Sequence, residues 1–512
     1  MAERVPDETG GAPIGAVCST VRGSLGTWGS RSLPVMVPVV LSLSLGLYRI
    51  GAHELIDDEL CTWWAVHLSF ADFLALVRNV DAVLAPYYLF MRVWCRLFGD
   101  SEWLLRLPSV LAMAASAGLL SVLGQRLFDR RTGLVSGLTF AVIPSVVRFS
   151  QDARPYALAT LCAIGSTLVL LYTLQKPSER RRWGYYAVAV ALTGMTHLVS
   201  LGVLGAHFAF LFERRRDWPW FTARRATFGP WLVAVTVALL AVLPIVLLGA
   251  HQDEQLRRIE LVPRMFLALP CTVTLSSRIG YGLAGLALLS VSMRTKSSLR
   301  LSMWAILPPL FTYATYDALH VFRARYLIFT LPAWSLLAAS ACTRLRLLSR
   351  WPLLAGVVAT VAYVAAVPIE RVWQLQDPDS SHYGCPSRIL AQFVRRDDVL
   401  IYGGLGAARE HTRIGLTYGL RHSLQPRDAL VQRSAASLGG FRAQECSSFD
   451  ACLPSDAQRV WFIFPDSMDE RMDRVTAKLT AQMEAAFVRS NSWPCGKRRL
   501  DLFVRKGTAA TH

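Results

Sequence analysis

The chain has 512 residues, 53% of them hydrophobic and 18% charged, with a formal net charge of +18. A soluble globular protein is nearer a quarter charged, and many apolar blocks here approach the roughly 20 residues that cross a bilayer, which excludes a single soluble core. The basic residues lie in short segments between the blocks, where they set membrane topology, so the charge does not indicate nucleic acid.

The apolar blocks predict about eleven transmembrane helices within residues 33–369. A polar segment rich in Gly and Ser, residues 1–32, precedes them and is expected to be a disordered cytoplasmic tail. Basic triplets flank the stretch 183–212 at both ends, which requires an even number of crossings and divides it into two helices. The predicted spans are 33–50, 103–125, 134–148, 156–175, 183–197, 199–212, 229–250, 279–293, 301–316, 326–343 and 351–369.

The arginine-rich segments between the spans orient the protein. With residue 1 in the cytoplasm, every dense arginine cluster lies on the cytoplasmic side, as the positive-inside rule requires. The long segment 51–102 then lies outside the cytoplasmic membrane. Within it, residues 85–98 are too short and too basic for a span, so they predict an amphipathic helix in the membrane interface.

The sequence changes character after residue 369. Residues 370–512 alternate short apolar runs with helical patterns, which predicts a small α/β domain outside the membrane. An oxidising compartment favours disulfides, with three possible pairings, over zinc ligation, for which neither a CxxC pair nor a His cluster is present. The four cysteines of this region are Cys385, Cys446, Cys452 and Cys495.

Acidic residues gather on the outer side, and the sharpest group is Asp57, Asp58 and Glu59, shortly after the first span. Three adjacent carboxylates could be a solvated acidic loop. The functional alternative is a general base whose pKa is raised by its acidic neighbours and by nearby apolar surface. The group is therefore the first candidate for catalysis.

Two further outer positions carry candidate residues. A short loop, SQDARPY, contains Asp152, and Asp152 with Arg154 forms either a structural pair or part of a site. Arg323 and Arg325 lie at the outer end of the tenth span, where the positive-inside rule makes arginine uncommon. They therefore indicate a binding site for an anion, either a lipid headgroup or a substrate phosphate. His197 occupies the turn between the fifth and sixth spans, where a packed histidine is commoner than a ligand.

The order of these motifs resembles a known family. The segments PYYLFMRVWCRLFGDSEWLLRLPSVLA, SQDARPYAL and RARYLIFTLPA follow one another as they do in the GT-C glycosyltransferases. The bacterial branch similar to protein O-mannosyltransferases and the lipid A aminoarabinose transferase resembles this chain most, over residues 33–343 and more loosely to 369. The resemblance implies a helical membrane protein that transfers a monosaccharide, with mannose the modal sugar, from a polyprenyl-phosphate carrier to a lipid, glycan or protein hydroxyl.

The resemblance also implies roles for individual residues. Asp58 matches the catalytic aspartate and Asp152 the acid of the second outer loop. The residues expected to bind substrate are Asp57, Glu59, Arg154, Tyr156, His197, Arg323, Arg325 and Tyr326. Inverting transfer of this kind requires no cofactor, and no metal is predicted, although clustered carboxylates leave a divalent ion open. Many relatives carry His-Pro-Pro where this chain has residues 83–85, Val-Leu-Ala, although Asp81 lies close by.

Two other classes of protein are alternatives to the transferase. A transporter or flippase usually shows inverted repeats and binding groups near the bilayer midplane, whereas the charged residues of interest here gather at one face. A non-catalytic envelope assembly protein would use the outer domain as a binding module and would tolerate substitution of Asp58. The sequence favours the transferase over both.

Overall fold

The computed structural model describes residues 32–212, 220–252, 264–345, 383–404, 406–446, 449–465 and 470–507. Ten of the predicted spans fall within these ranges, and each coincides with a helical element. The eleventh, 351–369, and nearly all of the predicted tail lie outside the described residues. The elements at the ten spans are Ser32–Leu47, Glu102–Leu127, Arg130–Ala141 with Pro144–Ser150, Tyr156–Gln175, Arg180–Thr196, Leu198–Val203 with Leu204–Phe210, Trp220–Gly249, Ser277–Ser292, Lys296–Ala314, and Ala324–Thr330 with Leu331–Arg344.

Four described helices are long and apolar enough to cross a membrane: Glu102–Leu127, Tyr156–Gln175, Thr227–Gly249 and Ala324–Arg344. A fifth crossing arises if Arg130–Ala141 and Pro144–Ser150, which meet at an angle of 65°, form one broken span. Pro144 explains the break, because proline lacks the amide hydrogen that would continue the helix and disfavours helical geometry before it. The count of eleven spans stays a prediction.

Helices also fill the segment between the first two spans: Asp57–His67, Phe70–Asn79 and Ala85–Phe98. The helix Ala85–Phe98 has the two faces that the sequence predicts. Tyr87 and Tyr88 are buried, whereas Val93 and Leu97 are exposed. An apolar exposed face on a helix that carries arginines suits the boundary between lipid and water.

The C-terminal region is an α/β domain. Its strands are β1 (Val399–Tyr402), β2 (Arg427–Asp428), β3 (Val431–Arg433), β4 (Gln444–Glu445), β5 (Arg459–Pro465), β6 (Phe487–Cys495) and β7 (Arg498–Arg505). Five form one sheet in the order β2-β1-β5-β7-β6, in which β2, β1 and β5 are parallel and β7 is antiparallel to both neighbours; β3 and β4 pair separately. Helices at Gly384–Phe393, Gly406–Gly419, Phe449–Cys452 and Glu470–Ala486 complete it. Of the three possible cysteine pairings, the domain has Cys385 with Cys495 and Cys446 with Cys452.

This domain packs directly on the helices that follow the first predicted span. One apolar cluster contains Leu60 and Trp63 of the helix Asp57–His67 together with Tyr418 and Leu500 of the domain. The rings of Trp63 and Tyr418 meet edge to face at a centroid distance of 5.1 Å. The shared core fixes the domain beside the helix that begins with the three adjacent acids.

Candidate active site

The three adjacent acids face three different parts of the chain. They begin the helix Asp57–His67, in which consecutive side chains are about 100° apart because a turn has 3.6 residues. Asp57 Oδ2 lies 2.8 Å from His411 Nδ1 in the C-terminal domain, and Asp58 Oδ2 lies 2.5 Å from Arg325 Nη1. Glu59 Oε2 lies 2.7 Å from Arg106 Nη2 in the second span. Only one of the three therefore faces Arg325.

Glu59 forms a saturated, buried ion pair. Arg106 donates a hydrogen bond to each of its two carboxylate oxygens. The backbone amide of Ile56 donates a further hydrogen bond to Oε2, and that of Ala153 donates one to Oε1. Burial raises the pKa of Glu59, but Arg106 and these hydrogen bonds outweigh it and hold that pKa below its ordinary value. The protein itself therefore supplies four hydrogen bonds to this carboxylate, and the substrate-binding role of Glu59 stays a prediction.

We expect Glu59→Gln to lower the thermal unfolding temperature strongly, because it leaves the Arg106 charge buried without its partner, at a cost of about 3–5 kcal/mol. Replacing both residues with glutamine should recover part of that loss. Asp57→Asn is the matched control, since Asp57 is about half exposed. A Glu59→Gln protein that unfolds like wild type yet loses activity would instead support the predicted substrate-binding role of Glu59.

Asp58 lies between two arginines from distant parts of the chain. Arg325 bonds its carboxylate, and Arg154 Nη1 donates to its backbone oxygen over 3.4 Å. Burial raises the pKa of Asp58, but Arg154 and Arg325 together outweigh it, so that pKa lies below its ordinary value. The sequence-based expectation of a raised pKa is wrong, because it counted the acids beside Asp58 in sequence and not the cations beside it in space.

Three aromatic rings pack together beside Arg325. Tyr156, His197 and Tyr326 have centroids 5.0 to 6.2 Å apart, and the Arg325 guanidinium lies 5.6 Å from the Tyr326 ring. They come from the start of the helix Tyr156–Gln175, the turn after the fifth predicted span and the start of the tenth predicted span. The structure thus brings together four of the predicted residues from three distant segments of the sequence.

Asp152 lies buried in the loop between Pro144–Ser150 and Tyr156–Gln175. The Gln151 side chain anchors this loop by donating to the carbonyls of Gly46 and Tyr48, and Ser109 donates to the Asp152 backbone oxygen. Burial raises the pKa of the Asp152 carboxyl to about 6, against the opposing effect of Arg148. A buried carboxyl of this kind is typical of functional sites.

Two predicted substrate-binding residues lie apart from the Asp58 carboxylate. Asp57 pairs with His411, as described above. Arg323 forms no side-chain hydrogen bond or ion pair with any other described residue, and its Nε is buried. The Asp57 carboxylate therefore joins its helix to the C-terminal domain.

Sequence reasoning missed several residues of the site. Arg106 stands alone in the apolar run WLLRLPSV, and a charge within a span indicates a buried partner, so it could have been found. Asp81 was named only as lying close to the position of His-Pro-Pro; it accepts a 2.7 Å hydrogen bond from the Tyr88 hydroxyl, and burial raises its pKa although Arg154 opposes this. His411 gives no signal in the sequence, because only the packing of the C-terminal domain brings it to Asp57.

Known proteins resemble this chain in sequence and in fold. Residues 84–248 match the family described as dolichyl-phosphate-mannose-protein mannosyltransferase. The crystal structure of ArnT from Cupriavidus metallidurans bound to undecaprenyl phosphate is 14% identical, with a TM-score of 0.59, over 94% of this chain and 100% of that chain. ArnT of the same organism in the apo state is 13% identical, with a TM-score of 0.55, over 93% and 98%. No curated protein matches the chain.

These findings confirm the resemblance that the sequence motifs indicate. The chain is a multi-pass membrane protein with the fold of the GT-C glycosyltransferases, and it resembles ArnT and the protein O-mannosyltransferases. The family match covers part of the helical region, and the structural matches cover nearly the whole chain, the α/β domain included.

Proposed function

We propose that the protein transfers a monosaccharide from a polyprenyl-phosphate carrier to a hydroxyl group of an envelope acceptor, with inversion at the anomeric carbon. The observation that carries the proposal is the convergence of Asp58, Arg154 and Arg325 at one point beside the membrane-spanning helices. A carboxylate and two guanidinium groups supply a base and an anion site within one small volume. The undecaprenyl phosphate bound to ArnT and the dolichyl-phosphate-mannose donor of the matched family support a lipid-phosphate donor.

Asp58 is the general base of this mechanism. An alcohol is a poor nucleophile, so a carboxylate within hydrogen-bonding reach takes its proton as the oxygen attacks the anomeric carbon. The bond from that carbon to the phosphate oxygen breaks, and its electron pair leaves with the polyprenyl phosphate. The lowered pKa of Asp58 keeps it ionised at neutral pH, which is the form that accepts a proton.

Arg325 is the group that binds the leaving phosphate. Its Nη1 is bonded to Asp58, and its Nε is buried without a partner among the described residues. A guanidinium has five N–H donors in a planar fork that matches phosphate oxygens. One arginine therefore links the base to the anion site, and the arriving phosphate draws it away from the Asp58 carboxylate.

The finer points of the proposal are the sugar, the side of the membrane and the acceptor. We propose mannose, as in the matched family's description. The N-terminus is cytoplasmic and the site faces outward in the proposed orientation, which the two disulfides of the C-terminal domain support because disulfides persist in oxidising compartments. The acceptor is a lipid, a glycan or a protein hydroxyl.

The test uses purified full-length protein and a synthetic polyprenyl-phosphate mannose. We expect acceptor-dependent release of polyprenyl phosphate, with the acceptor identified by mass spectrometry of envelope glycans, glycolipids and glycoproteins from wild-type and deletion strains. If the protein moves the intact lipid between the leaflets of a vesicle and does not cleave it, the protein is a flippase and the proposed transferase activity is wrong.

The reaction should slow in acid because Asp152 becomes protonated. Because burial raises its pKa to about 6, Asp152 gains a proton as the pH falls through that value, whereas Asp58 stays ionised. We expect kcat/KM for the donor to fall below about pH 6 in wild type and to be slower but nearly flat there in Asp152→Asn. If kcat/KM for the donor still falls in the same way at low pH in Asp152→Asn, the titrating group is not Asp152.

A further inference from the structure

The segment that leads into Asp58 is held from one direction by a single arginine of the helix Glu102–Leu127. Arg106 pairs with Glu59 and also donates three hydrogen bonds of 2.8 to 3.0 Å to backbone oxygens of this segment. Those oxygens belong to Ile50, His53 and Glu54. The start of the helix that carries Asp58 therefore has a fixed support within the helical region.

The C-terminal domain holds the same segment from another direction. Leu55 is completely buried, and its backbone amide donates a 2.8 Å hydrogen bond to the Tyr383 hydroxyl oxygen. The Glu54 carboxylate accepts hydrogen bonds from the backbone amides of Tyr383, over 3.2 Å, and of Gly384, over 3.1 Å. These two amides lie at the start of a helix, where free amide groups and the helix dipole favour a negative charge. Three hydrogen bonds thus join the domain to two consecutive residues of the segment.

Two glycines make room for these contacts. A Cβ atom on Gly384 would overlap the Glu54 carboxylate, so a larger residue would keep that carboxylate from the start of the helix. A Cβ atom on Gly415 would lie 2.9 Å from a ring carbon of Tyr383, closer than side chains approach one another. The contact between the domain and the segment therefore depends on two positions that lack a side chain.

Further contacts fix Tyr383 within the domain, where it is only 3% exposed. Its ring meets that of Tyr418 edge to face at a centroid distance of 5.5 Å, and Tyr418 in turn packs on Trp63. The disulfide between Cys385 and Cys495 joins the first turn of the helix after Tyr383 to the end of β6. The domain therefore presents the tyrosine to the segment in one fixed position.

The carboxylate of Asp58 depends on this arrangement, because Asp58 follows Leu55 by three residues and must meet Arg325 at a distance of 2.5 Å. We propose that Tyr383 is a positioning residue for the transfer reaction. It holds the segment before Asp58 so that the carboxylate lies within reach of both the acceptor hydroxyl and Arg325. The C-terminal domain is then required for placing the base. This inference rests on the proposed function, which makes Asp58 the general base.

Tyr383→Phe is the direct test, because it keeps the ring and removes the hydroxyl that accepts from the Leu55 amide. We expect kcat to fall about 10- to 100-fold, since a small misplacement of a catalytic group costs this much. Donor affinity should change little, because the arginines of the site remain. Gly384→Ala displaces the Glu54 carboxylate and should act in the same direction. The measurements are kcat per mole of folded protein and donor affinity by calorimetry.

A double-mutant cycle separates positioning from general destabilisation. If Tyr383 acts through Asp58, Tyr383→Phe should cost little further in Asp58→Asn, where no base remains to be placed. Tyr418→Phe is the matched control, because it removes a hydroxyl from the same aromatic cluster, one that contacts the Asp100 backbone oxygen. It should leave kcat unchanged. A purely structural role of Tyr383 would lower the unfolding temperature and leave kcat per folded molecule unchanged.

Hydrogen–deuterium exchange over residues 54–59 gives a readout that needs no turnover. We expect faster exchange in Tyr383→Phe than in wild type or Tyr418→Phe, because the Leu55 amide loses its acceptor. Unchanged kcat or unchanged exchange in Tyr383→Phe would overturn the inference, as would an equal loss of kcat in the Asp58→Asn background. A wild-type protein that releases no polyprenyl phosphate would refute the proposed transferase, and exchange would still decide whether Tyr383 holds the segment.

Discussion

Asp58→Asn is expected to lower turnover by about 100-fold or more while leaving the protein folded and able to bind its donor. The amide keeps the shape of the carboxylate but cannot accept the acceptor's proton, and removing a general base typically costs this much. Donor binding should survive, because Arg154 and Arg325 remain, and Arg325 is freed from its bond to Asp58. The deciding measurement is turnover per mole of folded protein, together with a separate donor affinity.

Asp57→Asn is the control for this experiment, since it makes the same chemical change one residue away. Its carboxylate pairs with His411 in the C-terminal domain, so we expect turnover near wild type. Loss of turnover in Asp57→Asn with normal turnover in Asp58→Asn would move the base by one residue. Normal turnover in both variants would contradict general-base catalysis by this helix.

The helical architecture could be predicted because apolar length and arginine position act locally. Even the division of 183–212 into two helices followed from charge alone, and the structure has the turn at His197. Pairings across the fold are a different matter. Asp58 and Arg325 are 267 residues apart, and periodicity cannot say which acid meets which arginine; only the resemblance to a family put both in one site.

The pKa of Asp58 departs from the sequence-based expectation because of the geometry of the helix. Adjacent acids in sequence suggested a single cluster of like charges, but the helical rotation of about 100° per residue points them apart. Each then meets its own basic side chain, and the pKa of Asp58 falls instead of rising. Sequence neighbours are a poor guide to electrostatics wherever a helix begins at an interface between several segments.

Arg325→Ala should lower turnover by about 100- to 1000-fold, the usual effect of removing one group that stabilises developing negative charge. The charge on the departing phosphate would then be compensated by Arg154 alone among the arginines that contact Asp58. Arg325→Lys should be impaired but measurable, because lysine keeps the charge and loses the planar fork that matches two phosphate oxygens.

Arg323→Ala is the matched control, two residues away on the same segment and without a bond to any other described side chain; it should turn over nearly as wild type does. If Arg325 served only as an anchor for lipid headgroups, Arg325→Ala would express less well yet keep its activity per folded molecule. The measurement is therefore turnover per mole of purified, folded protein with a synthetic prenyl-phosphate sugar. Wild-type turnover in Arg325→Ala would assign this arginine to the membrane, and the phosphate would then need another partner, with Arg323 or Arg154 next in line.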